Sequence, residues 1–322
     1  MSLPIVLAAT SLVQFNLLEG QPVKDEKLLR SLTDVVALKS EEIPGFSTKG
    51  GISVFVDLKV YGYNLKGVSL DLYQTLSRQS AIGKGKDEIN ILARLLPNRD
   101  IAYQVAMASM NTNVFFPGAE PGKFPKGSWT GLPIGEESWA TAPKAGRISF
   151  TASLVVWDDR LVLKVRVAYP PLDPESRNLQ FLPIAQEDLE LGELAARLVL
   201  ARAHLVLLGW GELPTVRLVA NGKALSGKRT RHGRVFVPVQ AVCQSYGVRA
   251  QRQSGVLMAS WGGKRVKMPI GSRVLMVGKE RVVLGSPVLW DGKEGWVEAT
   301  GLAKGLGLAM RWERGQLVLA KR

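Results

Sequence analysis

Residues 232–248 read HGRVFVPVQAVCQSYGV, and residues 291–308 read DGKEGWVEATGLAKGLGL. From Phe236 onward the two stretches align with a constant offset of 60 residues. The aligned pairs are Phe236 with Trp296, Val237 with Val297, Gly247 with Gly307, Gly255 with Gly315 and Leu257 with Leu317. Because one such unit cannot bury its apolar face alone, the duplication predicts two like units packed around a shared core.

The pattern within each copy predicts its local structure. A hairpin with a glycine turn, Asn221-Gly222 in the first copy, leads to a strand that contains an aromatic residue followed by valine. A short helix comes next, with apolar residues spaced to face the sheet. Gly247 and Gly307 stand where this helix ends, in a left-handed conformation that glycine adopts at little cost. The last third is therefore predicted to be a duplicated β-rich domain with one short helix per repeat.

Several motifs of this region occur in the order in which a known family has them. They are Asn221-Gly222, Val237-Pro238-Val239, Tyr246-Gly247-Val248, Ile270-Gly271-Ser272, Leu306-Gly307-Leu308 and Arg311-Trp312-Glu313. With these motifs, residues 214–321 resemble the copper amine oxidase N-terminal-like domain of bacterial surface and secreted proteins. One position departs from the family pattern, because Glu298 stands where proline is usual.

The resemblance implies a stalk-like accessory domain and does not imply amine oxidation. Copper amine oxidases hold their metal with several histidines in a separate large domain, whereas this chain has only His204 and His232. The single cysteine, Cys243, leaves no intrachain disulfide and no cysteine-rich metal site. We therefore expect no catalytic residues, no metal and no cofactor, and a secreted or cell-envelope location.

The formal net charge of +14 is distributed unevenly along the chain. Leu213 to Arg322 contain 20 lysines and arginines against 5 aspartates and glutamates, a balance of +15. The residues before them contain 22 against 23, a balance of −1. Such segregation predicts a separate domain with an anionic partner. The alternative is a basic surface that only keeps the protein soluble.

Two windows concentrate this charge and form the predicted anionic-ligand site. The first contains Lys223, Lys228, Arg229, Arg231 and Arg234, and the second contains Lys264, Arg265 and Lys267 beside Trp261. Positive charge interleaved with aromatic rings suits an acidic polysaccharide, a wall polymer or a nucleic acid. Half or more of the domain's tryptophans (Trp261, Trp290, Trp296 and Trp312) are expected in the core, because the repeat places them at equivalent strand positions.

The start of the chain predicts a small α/β arrangement. Residues 24–37 have the spacing of an amphipathic helix, and residues 52–61 alternate as a strand. Ser69 is a suitable N-cap for a helix that contains Leu70, Leu72, Tyr73 and Leu76. With the stretches at 64–70 and 76–80, residues 23–80 resemble the secretin/TonB short N-terminal domain of bacterial envelope proteins.

The middle of the chain predicts a loop, a hairpin and a long helix. Residues 111–145, which include Trp129 and Trp139, read as an irregular surface loop or an aromatic platform. Residues 148–157 and 160–169 predict a hairpin, and residues 187–208 predict a helix ended by Gly209. The predicted class is α+β, with an N-terminal segment at 1–22 (a signal remnant or a buried strand), a small α/β domain at 23–110, the loop, hairpin and helix at 111–212, and the duplicated domain at 213–322.

Candidates for acid–base chemistry have structural explanations. Neighbouring residues on a strand point to opposite faces, so Glu136-Glu137 reads as a surface loop and Asp158-Asp159 as a turn. His204 and Cys243 occupy apolar helical positions; His204 is expected to be partly buried and structural, and Cys243 is expected in the core. His232 is expected in a solvated turn.

These observations favour a non-enzymatic extracytoplasmic protein that is structural or binds a surface. Its basic module is expected to contact an anionic cell-surface polymer, and another envelope protein or a second copy of the chain are further partners. A transmembrane helix is not expected, since no apolar stretch reaches about 18 residues. The alternatives are a nucleic-acid-binding protein, supported only by the basic third, and a filament or layer subunit that pairs through edge strands such as residues 148–169.

Overall fold

The computed structural model describes residues 34–48, 52–57, 69–81, 85–111, 134–141, 151–172 and 184–321. The chain divides into two units, Met1–Leu200 and Ala201–Arg322, which we call unit 1 and unit 2. Strands and helices occur in both, and unit 2 is rich in strand, so the predicted α+β class with a β-rich C-terminal region is confirmed. Among the described helices, none has the length and apolar character needed to cross a membrane.

The described part of unit 1 is built around one antiparallel sheet. Its elements are β1 (Ile52–Asp57), β2 (Ser69–Gln79), β3 (Lys86–Leu95), α1 (Arg99–Asn111), β4 (Glu137–Thr141), β5 (Thr151–Asp158), β6 (Leu161–Ala168) and α2 (Gln186–Leu208), the last of which continues into unit 2; a short 3₁₀ helix covers Ser40–Glu42. The sheet has the order β1-β2-β3-β6-β5-β4. Strands from both sides of the predicted boundary at 110/111 therefore belong to one sheet. The sequence also predicts a boundary at 212/213, whereas the two units divide between residues 200 and 201.

The hairpin predicted over residues 148–169 is confirmed as β5 and β6, with Asp159 in a left-handed conformation at the turn (φ 52°). It does not lie at an edge of the sheet, contrary to the filament hypothesis. Strand β6 also pairs with β3, and β5 also pairs with β4. The reason lies in the sequence of β5, whose Leu154, Val155 and Val156 are buried on both faces, as in an interior strand.

The helix predicted to begin at residue 69 is wrong, because residues 69–79 form β2. Its apolar residues fit a period of two as well as a helical period, and distant partners decide between them. Asp71 is buried against Arg94 of β3, and the amide of Gln74 exchanges two hydrogen bonds with the backbone of Leu38 (2.8 and 2.9 Å). The resemblance to the secretin/TonB domain used a helix here, so β2 removes that support.

Other N-terminal predictions fall partly or wholly outside the described residues. Only the end of the helix predicted over 24–37 is described, and residues 34–36 are helical. Strand β1 covers the first six residues of the strand predicted over 52–61. The segment 1–22 and Trp129 lie outside the described residues.

Helix α1 packs against β5 and β6 and buries a hydrophobic cluster between itself and these strands. It begins after Asn98, whose side-chain oxygen accepts the N–H of Ile101 (2.9 Å) as a helix cap. The cluster contains Leu96, Ala102, Val105, Ala106, Trp139, Val155, Trp157 and Val162. Trp139 therefore lies on β4 in the core, which corrects the prediction that this residue belongs to a surface loop or an exposed platform.

The start of α2 is anchored to the sheet by polar contacts. Arg78 of β2 binds Asp87 of β3 (3.0 Å) and Asp188 in the first turn of α2 (2.7 Å). The hydroxyl of Tyr169 donates to Asp188 and accepts the N–H of Ala185 (3.0 Å). Burial, followed by the hydrogen bond to Asp188, raises the pKa of Tyr169 to about 12. A carboxylate in the first helical turn also interacts favourably with the helix dipole.

Helix α2 confirms the helix predicted over residues 187–208, and Gly209 follows it in the left-handed conformation (φ 63°). Glu193 and Arg197 are both buried on this helix and form an ion pair one turn apart (2.6 Å). Removal of either partner would leave a buried charge, which is strongly destabilising. His204, predicted to be partly buried, is buried.

Unit 2 has two sheets. Its elements are β7 (Thr215–Ala220), β8 (Lys223–Arg229), β9 (Val235–Pro238), α3 (Val239–Ser245), β10 (Ala250–Gln253), β11 (Val256–Trp261), β12 (Lys264–Pro269), β13 (Val274–Val277), β14 (Glu280–Val283), β15 (Leu289–Trp290), β16 (Gly295–Glu298), α4 (Ala299–Leu306), β17 (Leu308–Glu313) and β18 (Gln316–Lys321), with a 3₁₀ helix at Trp210–Glu212. The sheets have the orders β10-β11-β12-β13-β14 and β15-β16-β9-β8-β7-β18-β17.

The offset of 60 residues reappears in the structure. Strand β9, helix α3 and strand β11 correspond to β16, α4 and β18. Gly247 and Gly307 end the two helices with φ of 74° and 67°. In both copies the following hairpin turn has two residues of positive φ, Ser254-Gly255 (44° and 75°) and Arg314-Gly315 (48° and 78°). Two-residue turns of this kind match the twist of the flanking strands.

Strands of the two copies pair with each other in the same sheet. Strand β16 of the second copy pairs with β9 of the first, and β18 runs parallel to β7. In the smaller sheet, β12 joins the hairpin that ends the first copy to the hairpin that begins the second. Helix α4 approaches the smaller sheet through glycine, because a Cβ on Gly301 would lie 2.2 Å from the Cδ2 of Leu284.

Glu298, the departure from the family pattern, is buried and holds a loop. Its carboxylate accepts the N–H of Gly285 (3.1 Å) and the hydroxyl of Ser286 (2.9 Å). Arg234 completes the cluster with an Nη1 to Oε1 distance of 3.3 Å. The second copy thus has a polar anchor at the strand end where the first copy has Pro238.

Candidate functional site

The nine residues predicted to bind an anionic ligand lie in two different sheets. Those from residues 223–234 belong to β8 and the turn after it, in the seven-stranded sheet. Those from residues 261–267 belong to the end of β11 and to β12, in the five-stranded sheet. The two windows therefore contribute to separate surfaces of unit 2.

The first window is itself divided. Lys223 begins β8 and Arg229 ends it, which places them about 20 Å apart along the strand. The ammonium of Lys228 donates to the carbonyl of Leu213 (3.3 Å) and has a structural role. The cations that share one end of β8 are therefore Arg229, Arg231 and Arg234, all of which are exposed.

The second window also separates into structural and exposed side chains. The indole N–H of Trp261 donates to the carbonyl of Leu306 (2.8 Å), and its ring packs edge-on against Tyr246 (5.0 Å between centroids). Lys264 forms an exposed ion pair with Glu280 (3.5 Å). Arg265 and Lys267 remain on the outer side of β12, since Val266 between them is buried.

The outer side of the five-stranded sheet forms a continuous surface, which we call the sheet face. It consists of Gln251, Gln253, Val256, Met258, Ser260, Arg265, Lys267, Val274, Met276, Arg281 and Val283, none of which is buried. One cross-strand row, Gln251–Met258–Lys267–Met276–Arg281, runs through all five strands. The side chains of this face include no carboxylate, and Val283 is 74% exposed.

The cations of the sheet face are available to a ligand. Lys267 and Arg281 have no hydrogen bond or ion pair within the described part of the chain, and Arg265 contacts only the sulfur of Met258 (3.8 Å). Lys267 and Arg281 are two strands apart, a separation of about 10 Å at the usual strand spacing. Methionine between them provides adaptable apolar contact area.

A second surface, which we call the Trp312 groove, lies beside the edge strand β17. It has a volume of about 370 Å³, and its walls include His232, Arg234, Glu298, Thr300, Met310 and Trp312. Trp312 is 50% exposed, and Met310 two residues away is 38% exposed. The guanidinium of Arg229 lies over this ring, 5.6 Å from its centroid.

Arg234 is fixed at this groove through one nitrogen only. Its Nη1 donates to the carbonyl of Gly285 (3.3 Å) and to Ser286 Oγ (2.9 Å), and it lies beside the carboxylate of Glu298. The Nε–H and Nη2–H donors have no partner among the described residues. The side chain is therefore held in place, while its Nε–H and Nη2–H donors stay open and can form two parallel hydrogen bonds to one carboxylate.

Trp312 and Met310 were not among the predicted site residues, although the repeat contains a signal for them. Core positions are apolar in both copies, whereas the counterpart of Trp312 at the offset of 60 is Arg252. A position that tolerates arginine in one copy is not a core position. Of the four tryptophans, Trp290 is buried, whereas Trp261 and Trp296 are half-buried, so fewer of them lie in the core than the repeat predicts. Trp296 packs edge-on against Trp210 (5.0 Å).

The acidic pairs have structural partners. Glu137 is the first residue of β4, so the prediction that Glu136-Glu137 lies in a surface loop is wrong for Glu137. Glu136 binds both terminal nitrogens of Arg99 (3.2 and 2.5 Å), and this guanidinium lies over the ring of Trp157 (4.8 Å). A cavity of about 510 Å³ adjoins these residues. Asp159 lies in a turn as predicted.

The remaining candidates match their predicted environments. Cys243 is fully buried, and burial raises the pKa of its thiol to about 11. At neutral pH this thiol is protonated and therefore a poor nucleophile. His232 is exposed in the turn between β8 and β9.

Residues 226–320 match the family model of the copper amine oxidase N-terminal domain. The match confirms the resemblance seen in the sequence, and it lies within unit 2. The N-terminal domain of copper amine oxidases is non-catalytic in that family. Comparisons with curated proteins and with solved structures gave no match.

Proposed function

We propose that this protein is a non-enzymatic, extracytoplasmic, surface-binding protein whose unit 2 attaches to an anionic cell-surface polymer through the sheet face. The family similarity of unit 2 supports the location, because domains of this family are often extracellular or periplasmic. The charge balance of +15 from residue 213 onward supports an anionic partner.

The observation that carries the proposal is the composition of the sheet face. Three cations, Arg265, Lys267 and Arg281, stand on one face of the five-stranded sheet without a carboxylate among them. A cation there has no competing internal partner, so binding a polymer anion does not require an existing ion pair to break. Repeating charges on a flexible polymer can meet such an array at several registers.

The expected strength follows from the charges. A lysine or arginine near an anionic surface contributes about 1 kcal/mol, as measured for basic segments at charged membranes. Three such residues contribute about 3 kcal/mol, which is roughly a hundredfold in affinity. Exposed charges are screened by salt, so the attachment should weaken steeply as ionic strength rises.

The test is binding of the full chain to beads that carry polygalacturonate, with neutral dextran beads as the reference. The variant Arg265→Gln/Lys267→Gln/Arg281→Gln should bind the anionic beads roughly a hundredfold more weakly. The matched control Arg217→Gln/Lys293→Gln/Lys304→Gln removes the same charge from exposed residues outside the sheet face and should stay within a few-fold of the unchanged protein. Equal loss in both variants, or binding that salt does not weaken, would contradict the proposal.

The contacts of Glu136 support the non-enzymatic part of the proposal. A carboxylate that acts as an acid or base needs access to a substrate proton. Here the carboxylate is occupied by both terminal nitrogens of Arg99 and also accepts the N–H of Asp159 (3.3 Å). These contacts suit a residue that fixes the entry to β4.

A further inference from the structure

We infer that the Trp312 groove binds one acidic sugar residue of a glycan chain, with the sugar ring against Trp312 and its carboxylate on Arg234. This inference rests on the proposed function and narrows the anionic polymer to a uronic-acid polysaccharide. It concerns a different surface from the sheet face, so the two can be tested separately.

The aromatic wall supplies the contact for a sugar ring. One face of a pyranose carries several C–H bonds that point the same way, and this apolar face packs against an indole ring. Trp312 is half exposed, and Met310 and the buried Leu317 add apolar lining to the groove. Arg229 over the ring restricts its movement, so less side-chain entropy is lost when a ligand binds.

The opposite wall supplies the contact for an anion. Arg234 is held through Nη1 by Gly285, Ser286 and Glu298, so that its Nε–H and Nη2–H donors can pair side-on with the two oxygens of a carboxylate. Neither His232 nor Thr300, which also line the groove, has a side-chain hydrogen bond within the described residues, so both can bond sugar hydroxyls. The volume of about 370 Å³ lies in the range of small-molecule sites.

The number of exposed rings favours a sugar over a nucleic acid. Proteins that bind single-stranded nucleic acid stack successive bases on several aromatic side chains. In the described part of unit 2, Trp312 is the tryptophan that is half exposed, while Trp210, Trp261, Trp290 and Trp296 are engaged in internal contacts. A single ring beside a single open guanidinium fits one sugar unit with one carboxylate.

The test is titration of the full chain with a short oligogalacturonate, with maltohexaose as the neutral reference, followed by tryptophan fluorescence and calorimetry. Oligogalacturonate should bind and change the fluorescence, and Trp312→Ala should reduce the affinity by roughly tenfold. Arg234→Lys keeps the charge but loses the paired donors and should also reduce it by roughly tenfold. Arg217→Lys, an exposed arginine on β7, is the control and should bind as the unchanged protein does.

The outcomes separate this inference from the proposed function. If long polygalacturonate is retained on beads by the sheet face while the short oligomer does not bind, or binds equally to Trp312→Ala, the sugar site is wrong and the surface attachment stands. If a single-stranded oligonucleotide binds in a Trp312-dependent way and the oligogalacturonate does not, the ligand class is wrong. Thermal unfolding of Arg234→Lys, compared with Ser286→Ala, shows whether lost affinity follows from a loosened loop.

Discussion

Replacement of Glu298 by alanine should destabilise unit 2 through the loop at residues 285–286. The carboxylate accepts hydrogen bonds from the N–H of Gly285 (3.1 Å) and the hydroxyl of Ser286 (2.9 Å). Hydrogen bonds to charged groups contribute about 1.5–3 kcal/mol each, with the lower value for the exposed Gly285. The side chain of Arg234 is 54% exposed, so its ion pair adds at most about 1 kcal/mol. We expect Glu298→Ala to lower the free energy of unfolding by about 3 kcal/mol.

A double-mutant cycle with Gly285→Ala makes this expectation specific. A Cβ on Gly285 would lie 2.7 Å from Oε2 of Glu298, a distance that forces the carboxylate to move. The backbone of Gly285 is not left-handed, so the cost of alanine is steric and should be about 1–3 kcal/mol. In the Glu298→Ala background the obstructing oxygen is absent, and Gly285→Ala should cost less than about 0.5 kcal/mol.

The assay is urea unfolding of the four proteins, followed by circular dichroism and tryptophan fluorescence. The expected coupling energy between the two substitutions is about 1–2 kcal/mol, with unchanged dependence on urea concentration. Glu298→Pro is an informative third variant, because φ is −55° at Glu298 and −73° at the equivalent Pro238. It should therefore be about as unstable as Glu298→Ala. Equal cost of Gly285→Ala in both backgrounds would refute the reasoning.

Two further expectations concern other parts of the molecule. The pKa of Tyr169 is raised from about 10 to about 12, so this residue contributes stability that is present below pH 10 and lost as the pH rises through about 12. In a titration followed by phenolate absorbance, Tyr169→Phe should lack the component that titrates last. An unchanged titration would contradict this expectation. Gly301→Ala should lower the melting temperature, because the new Cβ would lie 2.2 Å from the side chain of Leu284. Without this clash, replacing glycine by alanine in a helix would stabilise the protein by about 1 kcal/mol. A higher melting temperature would therefore show that α4 can shift to admit the methyl group.

The elements that could be predicted are those whose signal is local. The hairpin at Asp158-Asp159, the end of α2 at Gly209, and the paired helix ends at Gly247 and Gly307 follow from turn chemistry and from the repeat. Strand β2 could not be predicted this way. Its choice between helix and strand depends on partners far away in the sequence, such as Arg94 for Asp71, and no local pattern contains them.

The candidate site was predicted by composition, which identifies charge but not position. The charged windows correctly indicated which residues are basic, yet the structure places Lys223 and Arg229 at opposite ends of one strand. It also gives Trp261 and Lys228 internal hydrogen bonds. Only strand register shows that Lys267 and Arg281 share one face, because their pairing passes through Met276 on β13.

The duplication itself explains where new binding surfaces can arise in unit 2. Positions that face the core have apolar residues in both copies, as in Val237 and Val297 or Leu257 and Leu317, because both copies must fill the same kind of interior. Four residues that line the Trp312 groove come from positions where the copies differ: Glu298, Thr300, Met310 and Trp312 have as counterparts Pro238, Gln240, Ala250 and Arg252. The second copy therefore has an aromatic and cationic groove at Trp312, whereas in the first copy the equivalent residue, Arg252, lies over the ring of Trp290 (4.9 Å to the centroid). Two copies of one stable unit allow the surface of one to change while the shared core preserves the fold.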